Sequence, residues 1–228
     1  MTQVRAAVPE DAEAVARVHV RSWQCAYPGL IDQEYLDGLR PEVWAGRYTF
    51  GRMGLRLPAT VVAVDGSAIC GLATTGLCRD HELPNSGELM AIYVDPAWMG
   101  SGVGRLLMAA ARDRLRRVGV RHASLWVLDG NVRARRFYER DGWRFDGTRR
   151  TEVFGPRPSN SCATNARRCD HGSGPPERCV AGPSEVRAAA GTVCQCPTGY
   201  SMPCASWTCP VVALTRSPGC WPIWVPTS

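Results

Sequence analysis

Lysine is absent from this 228-residue chain, so arginine alone carries its 27 basic charges and the formal net charge of +6. That excess divides about evenly between residues 1–155 and the remainder, and no basic stretch is interleaved with aromatics, which argues against a nucleic-acid partner. Long apolar runs are missing as well. No window approaches the ~18 consecutive apolar residues that a membrane span requires, and Met1-Thr2-Gln3-Val4-Arg5 begins no signal peptide. The expectation is a cytoplasmic protein with no membrane partner. Thiols stay reduced in that compartment, so Cys25, Cys70 and Cys78 read as small buried or half-buried side chains rather than disulfide partners.

What the chain does contain is unevenly placed. Residues 1–155 hold 3 Cys and 6 Pro, whereas residues 156–228 hold 8 Cys and 11 Pro. The break near Gly155 predicts a globular domain over 1–155 and a Pro/Cys-rich low-order tail over 156–228. The tail cysteines (Cys162, Cys169, Cys179, Cys194, Cys196, Cys204, Cys209 and Cys220) include no C-x-x-C pair, so no metal is expected. A metal-dependent interaction element built from these cysteines is the competing reading. Absence of Lys beside abundant Ala, Arg, Gly and Pro points to a GC-rich coding sequence, in which a reading-frame shift near codon 155 accounts for the abrupt change.

Hydrophobic spacing orders the first 155 residues. Val4 to Ala7 reads as a short strand, and Ala12, Val15 and Val18 recur at helical spacing until Pro28-Gly29. A second helix follows Asp32, a plausible N-cap, and Pro41 to about Tyr48 reads as a third helical piece. Thr60–Val64 and Ala68–Thr75 form a hairpin about Asp65-Gly66. Glu88–Val94 is the fourth strand, and Arg105 to Val118 a helix closed by Gly119. Ser124–Leu128 is a fifth strand, Asn131–Arg140 a short helix, and Trp143–Phe154 a further strand. The order βααβββαβαβ makes a mixed α/β fold without internal repeats.

Two segments carry chemistry. Between the fourth strand and its helix lies Met99-Gly100-Ser101-Gly102-Val103-Gly104-Arg105. Glycines there let the backbone approach a ligand, and unpaired amides at the helix start favour phosphate. The spacing G-x-G-x-G is not the dinucleotide fingerprint G-x-G-x-x-G. Downstream, Asn131 opens a helix that carries Ala134, Phe137 and Tyr138.

Leu89 to Leu107 resembles motif A of the GCN5-related N-acetyltransferase superfamily, Gln/Arg-x-x-Gly-x-Gly/Ala, with Gly102 and Gly104 on the last two positions and Met99 in place of Gln or Arg. Asn131 to Trp143 resembles motif B of the same family, Asn-x-x-Ala-x-x-Phe-Tyr-x-x-x-Gly-Phe. The resemblance runs from Val4 to about Val153 and implies the acyl-coenzyme A N-acyltransferase fold, here with the usual last strand missing or replaced. It implies an acetyl transfer from acetyl-coenzyme A to a primary amine by direct attack in a ternary complex, without metal. The amine belongs to a small molecule, a peptide or a protein, and the enzyme to a monomer or homodimer. In such enzymes the fourth and fifth strands splay, and the pantetheine arm pairs with the fourth; that role falls on Ile92, Tyr93 and Val94. The pyrophosphate falls on Gly100, Ser101, Gly102, Val103, Gly104 and Arg105, with Asn131 on the pantetheine.

Tyr138 is the candidate general acid, because a phenol of pKa ~10 can protonate a departing thiolate of pKa ~8.5. Glu88 is the candidate base by resemblance, with His81 and Glu82 as alternatives. His19 packs or lines the acceptor cleft, and Trp23, Tyr27 and Tyr35 are candidates to shape it. An acyl-coenzyme A-binding but catalytically impaired module is the alternative reading.

Overall fold

Seven strands form one mixed sheet in the order β1-β2-β3-β4-β5-β7-β6. The computed structural model describes residues 1–51, 54, 57–80, 83, 85–152, 154 and 161–169. Expectations for His81, Glu82 and the chain beyond Cys169 lie outside the described residues.

The β-branched and apolar runs form the hairpin β2 (Ala59–Asp65) and β3 (Ala68–Leu77), with Gly66 at φ 59 supplying the left-handed turn. Strand β1 (Gln3–Ala6) adds antiparallel to β2, and β4 (Gly87–Val94) adds antiparallel to β3. Helix α1 (Ala12–Ala26) follows β1 and ends before Pro28, where the chain must leave the helix. Asp32 caps α2 (Gln33–Asp37), its carboxylate accepting the Tyr35 amide at 2.9 Å. Pro41 opens α3 (Pro41–Ala45), the third helical piece.

Helix α4 (Val103–Arg117) begins two residues before the spacing of its apolar positions suggests, and Gly119 follows it at φ 87. Strand β5 (His122–Leu128) then leads to α5 (Val132–Arg140) and β6 (Arg144–Glu152).

The place of the missing or replaced last strand is taken by β7 (Ser161–Cys169), which lies antiparallel between β5 and β6. The sheet therefore continues past the composition break at Gly155. No alternating apolar pattern announces this strand; the facing edges of β5 and β6 supply its hydrogen bonds.

Each face of the sheet has its own core. On one, Leu107, Met108 and Ala111 of α4 pack with Leu89, Leu125, Val127, Trp143 and Ala166. On the other, Trp23 of α1, Leu36 of α2 and Trp44 of α3 pack with Leu128, Phe154 and Ala163. Ala163 and Ala166 fall on opposite faces, as the strand period of two demands.

Candidate active site

The parallel pairing of β4 with β5 is confined to Gly87 with Ala123 and Glu88 with Ser124. From Leu89 onward the two strands part, and a cleft of about 610 Å³ opens between them. A bulge accompanies the separation: Thr74 faces Ala91 and Thr75 faces Leu89, so Met90 is the extra residue.

Strand alternation decides which groups face the cleft. The Asp95 amide donates to Cys70 O of β3 at 2.8 Å, so Tyr93 also turns its backbone to β3, while Ile92 and Val94 turn theirs to the open edge. Val94 O accepts the Ser22 hydroxyl of α1 at 2.9 Å, which leaves its amide and both groups of Ile92 for a ligand. Tyr93 thus lines the cleft with its side chain and not with its main chain.

At the far end of β4, Asp95 accepts the Ala97 amide at 2.9 Å and steadies the turn into the glycine loop. Gly100 at φ 87 and Gly102 at φ 93 adopt a left-handed backbone that costs other residues about 1–2 kcal/mol. Within the loop the Ser101 amide is spent on Trp98 O at 3.3 Å and the Arg105 amide on Gly102 O at 3.0 Å. The amides of Gly100, Gly102, Val103 and Gly104 have no acceptor among the described residues, and the positive end of α4 stands behind them. Backbone donors in this number fit an anion. The amides of Ser101 and Arg105 are thus engaged within the loop, and Arg105 is a lining residue of the cleft. Met99 lines the cleft in the position where the family pattern carries Gln or Arg.

Helix α5 crosses the mouth of the splay. Asn131 caps it, Oδ1 accepting the Ala134 amide at 3.1 Å, and the side-chain nitrogen has no partner among the described residues. Tyr138 lies about two turns further along the same face, 8% exposed and lining the cleft. Burial raises its phenol above the ordinary tyrosine range, and nearby Tyr27 adds to the shift. Burial pushes Tyr27 up to about 12 as well. Both hydroxyls therefore stay protonated at neutral pH, the state a proton donor needs.

Glu88 is placed differently from Tyr138. It is 3% exposed at the last paired position of β4, and Arg79 clasps it through Nη2 at 2.5 Å and Nε at 3.1 Å, so it does not line the cleft. Asp141 is the one carboxylate among the cleft's described lining residues. It accepts from Arg112 at 2.7 Å and from the Trp143 indole at 3.1 Å. Of the aromatic candidates, Tyr27 reaches the cleft, Trp23 is core and Tyr35 does not line the cleft. Among the described residues no three His, Cys, Asp or Glu side chains gather as metal ligands, and no helix is long and apolar enough to cross a membrane.

Sequence reasoning passed over Ser22 as a partner for Val94 and Arg150, whose guanidinium lies 4.0 Å from the Trp126 ring centroid beside the cleft. Each is visible only once distant elements are brought together.

The profile of the acetyltransferase (GNAT) family matches residues 19–143, more than half of the chain. An N-acetyltransferase of Bacillus subtilis is 31% identical, covering 58% of this chain and 74% of that protein. A spermidine N(1)-acetyltransferase of Thermoplasma acidophilum is 21% identical, covering 64% and 90%. Among solved structures, an N-acetyltransferase of Thermoplasma acidophilum in complex with coenzyme A superposes with a TM-score of 0.56 at 18% identity, covering 72% of this chain and 98% of the other. A GCN5-related N-acetyltransferase from Kribbella flavida gives 0.57 at 24% identity, covering 74% and 97%. The parted strands and the amide-rich loop are thus carried on a shared fold, and the chain belongs to the acetyltransferase (GNAT) family, an acyltransferase by class.

Proposed function

We propose that this protein transfers the acetyl group of acetyl-coenzyme A to a primary amine by direct attack within a ternary complex. The observation that carries the reading is the meeting, in one cleft, of the open edge of β4, the unpartnered loop amides and the Tyr138 hydroxyl. The amides of Gly100, Gly102, Val103 and Gly104 hold the pyrophosphate, and the free edge groups of Ile92 and Val94 pair with the pantetheine arm. The Ile92 amide donates to the thioester oxygen as negative charge develops on it, a contribution of several kcal/mol when the donor is fixed in advance, about 3–4 for one such donor elsewhere.

The amine nitrogen forms a bond to the acetyl carbon, the carbon–sulfur bond breaks, and Tyr138 gives its proton to the departing sulfur. The nitrogen's surplus proton passes to solvent, because the described cleft offers no unpaired carboxylate and Glu88 is held by Arg79. Water then reprotonates Tyr138. The reaction belongs in the cytoplasm, with the chain beyond β7 as a passive tail.

Thermal shift with acetyl-coenzyme A, followed by thiol release across a panel of primary amines, tests the reading. Raised melting temperature and amine-dependent thiol release are expected. Binding without release for any amine would reduce the protein to an impaired acyl-coenzyme A-binding module, and no binding at all would sink the proposal.

A further inference from the structure

A second cavity, of about 100 Å³, lies on the α1 side of the sheet and shares Met90, Ala91 and Tyr93 with the cleft. These are residues of the β4 bulge and its neighbours, where the strand parts from β5. The cavity therefore adjoins the cleft at β4, beside the proposed reaction centre.

The cavity's polar inventory is short. The Thr60 and Thr74 hydroxyls bond each other at 2.8 Å, which engages one of their two protons, and Thr49 is a further lining residue. His19, 1% exposed, lines the cavity, stacked on Tyr93 with ring centroids 4.7 Å apart and tilted against Trp44 at 4.3 Å. Its Nδ1 lies 2.6 Å from the Tyr48 hydroxyl, and its Nε2 is buried without a hydrogen-bond partner among the described residues.

Counting donors assigns the tautomer. If Tyr48 donates to Nδ1, the proton sits on Nε2 and one donor is left unmet. If Nδ1–H donates to Tyr48, both the phenol proton and the Nε2 lone pair are left unmet. The first arrangement costs less, because each buried unsatisfied group carries a penalty. Burial and the nearby Arg47 charge push the imidazole down to about 3, so it is neutral, and burial raises the Tyr48 phenol, so its proton is available to donate.

The charge is equally one-sided. Among the described lining residues Arg47 is the sole ionised side chain, and no carboxylate is among them. An ammonium group there would meet a guanidinium and no counter-charge. The space is smaller than the ~150 Å³ apolar cavity that accepts a benzene ring, which suits a short aliphatic group.

We infer that this cavity receives the substituent of the acceptor amine, and that His19 Nε2–H donates a hydrogen bond to an oxygen on it. Preferred acceptors are primary amines whose substituent is compact, apolar, uncharged and bears a hydrogen-bond-accepting oxygen. A polyamine such as spermidine, the acceptor named for one relative, would place a second ammonium where nothing balances it. The inference rests on the acetyl-transfer reading above and names the acceptor class for that same site.

The test uses the full chain at saturating acetyl-coenzyme A with thiol release as the readout. Methoxy-terminated primary amines with two, three or four methylenes are each compared with the alkylamine that carries a methylene in place of the oxygen, and with spermidine. At least one methoxy amine is expected to exceed its alkyl partner about five-fold in kcat/KM, the worth of one ordinary hydrogen bond, and spermidine to fall below both. His19→Phe, which keeps a ring for Tyr93 and Trp44 but removes the N–H, abolishes that preference while the KM for acetyl-coenzyme A moves less than two-fold. His19→Gln, which restores a donor, recovers part of it.

Equal rates for every isosteric pair in the unaltered protein overturn the inference without any variant. So does a preference that survives His19→Phe, or spermidine as the best acceptor. If acetyl-coenzyme A fails to raise the melting temperature, it is the parent acetyl-transfer reading that fails, and this one with it.

Discussion

The cleft and the His19 cavity meet at Met90, Ala91 and Tyr93 of β4, yet they are built from different material. The cleft takes the groups proposed to hold the cofactor from the main chain, the free edge of Ile92 and Val94 and the amides of the glycine loop, beside side chains such as Asn131, Tyr138 and Asp141. The cavity takes its groups from side chains of α1, α3, β2, β3 and β4 and the loops beside them. A main-chain site is set by backbone conformation and tolerates an odd side chain such as Met99. A side-chain site changes character with each substitution. The first suits a ligand common to a family, and the second an acceptor peculiar to one member.

The largest expected effect falls on Tyr138, the proposed proton donor. Tyr138→Phe keeps the ring in its core and removes the proton donor, so kcat should drop about 10²-fold or more while the KM for acetyl-coenzyme A stays within a few-fold. Because burial raises the Tyr138 phenol, its proton remains in place beyond the ordinary tyrosine pKa of ~10. Rate should therefore climb with pH as the amine loses its proton, with no fall from Tyr138 ionisation below about pH 10. A descending limb near pH 8 that vanishes in Tyr138→Phe would contradict this account.

Gly104→Ala probes the main chain. A Cβ at Gly104 would meet Phe137 no closer than 3.5 Å and Val94 at 3.7 Å, ordinary contacts, and alanine is the better helix former. Folding should be unharmed. The added methyl stands in the cleft beside amides that a pyrophosphate must approach, so the KM for acetyl-coenzyme A should rise roughly ten-fold, one charge-assisted hydrogen bond's worth. An unchanged KM would mean that the loop does not bind the cofactor through its backbone, and the contrast between the two cavities would fail with it.

What was readable in the sequence was local. Asp65-Gly66 announced its hairpin, Asp32 its cap and Gly119 its helix end, each within a few residues of its consequence. The glycine loop and the Asn131 cap were legible for the same reason. Glu88 was not, because Arg79, its partner, sits across the β3–β4 turn and nothing in the linear spacing ties the two. The His19 cavity was illegible too, since its lining comes from segments between positions 19 and 93. Strand β7 is the plainest instance: its residues carry no alternation, and the gap between β5 and β6 defines it.

That strand also buries a polar side chain. Asn165 is 1% exposed opposite Trp126, with Oδ1 lacking a hydrogen-bond partner among the described residues. Asn165→Val, which suits a central strand and removes the orphaned oxygen, should stabilise the fold by about 1 kcal/mol, seen as a higher denaturation midpoint at unchanged slope. Loss of stability would show that the amide is held by a partner and that the segment is adapted to its position.

The smallest effect tests the tolerance claimed for the cleft. Met99 lines the loop with φ −66 and ψ 133, a backbone that any residue adopts, so Met99→Arg introduces no strain. A guanidinium there would add a charge to an anion site already furnished with four amides, in surroundings open to solvent, where such a pair is worth a fraction of a kcal/mol to about 1. Acetyl-coenzyme A should bind only about two- to five-fold more tightly by calorimetry, with the gain fading as salt rises. A gain of a hundred-fold would mean that the side chain, and not the backbone, sets affinity, and the division between a main-chain cleft and a side-chain cavity would have to be redrawn at its cofactor end.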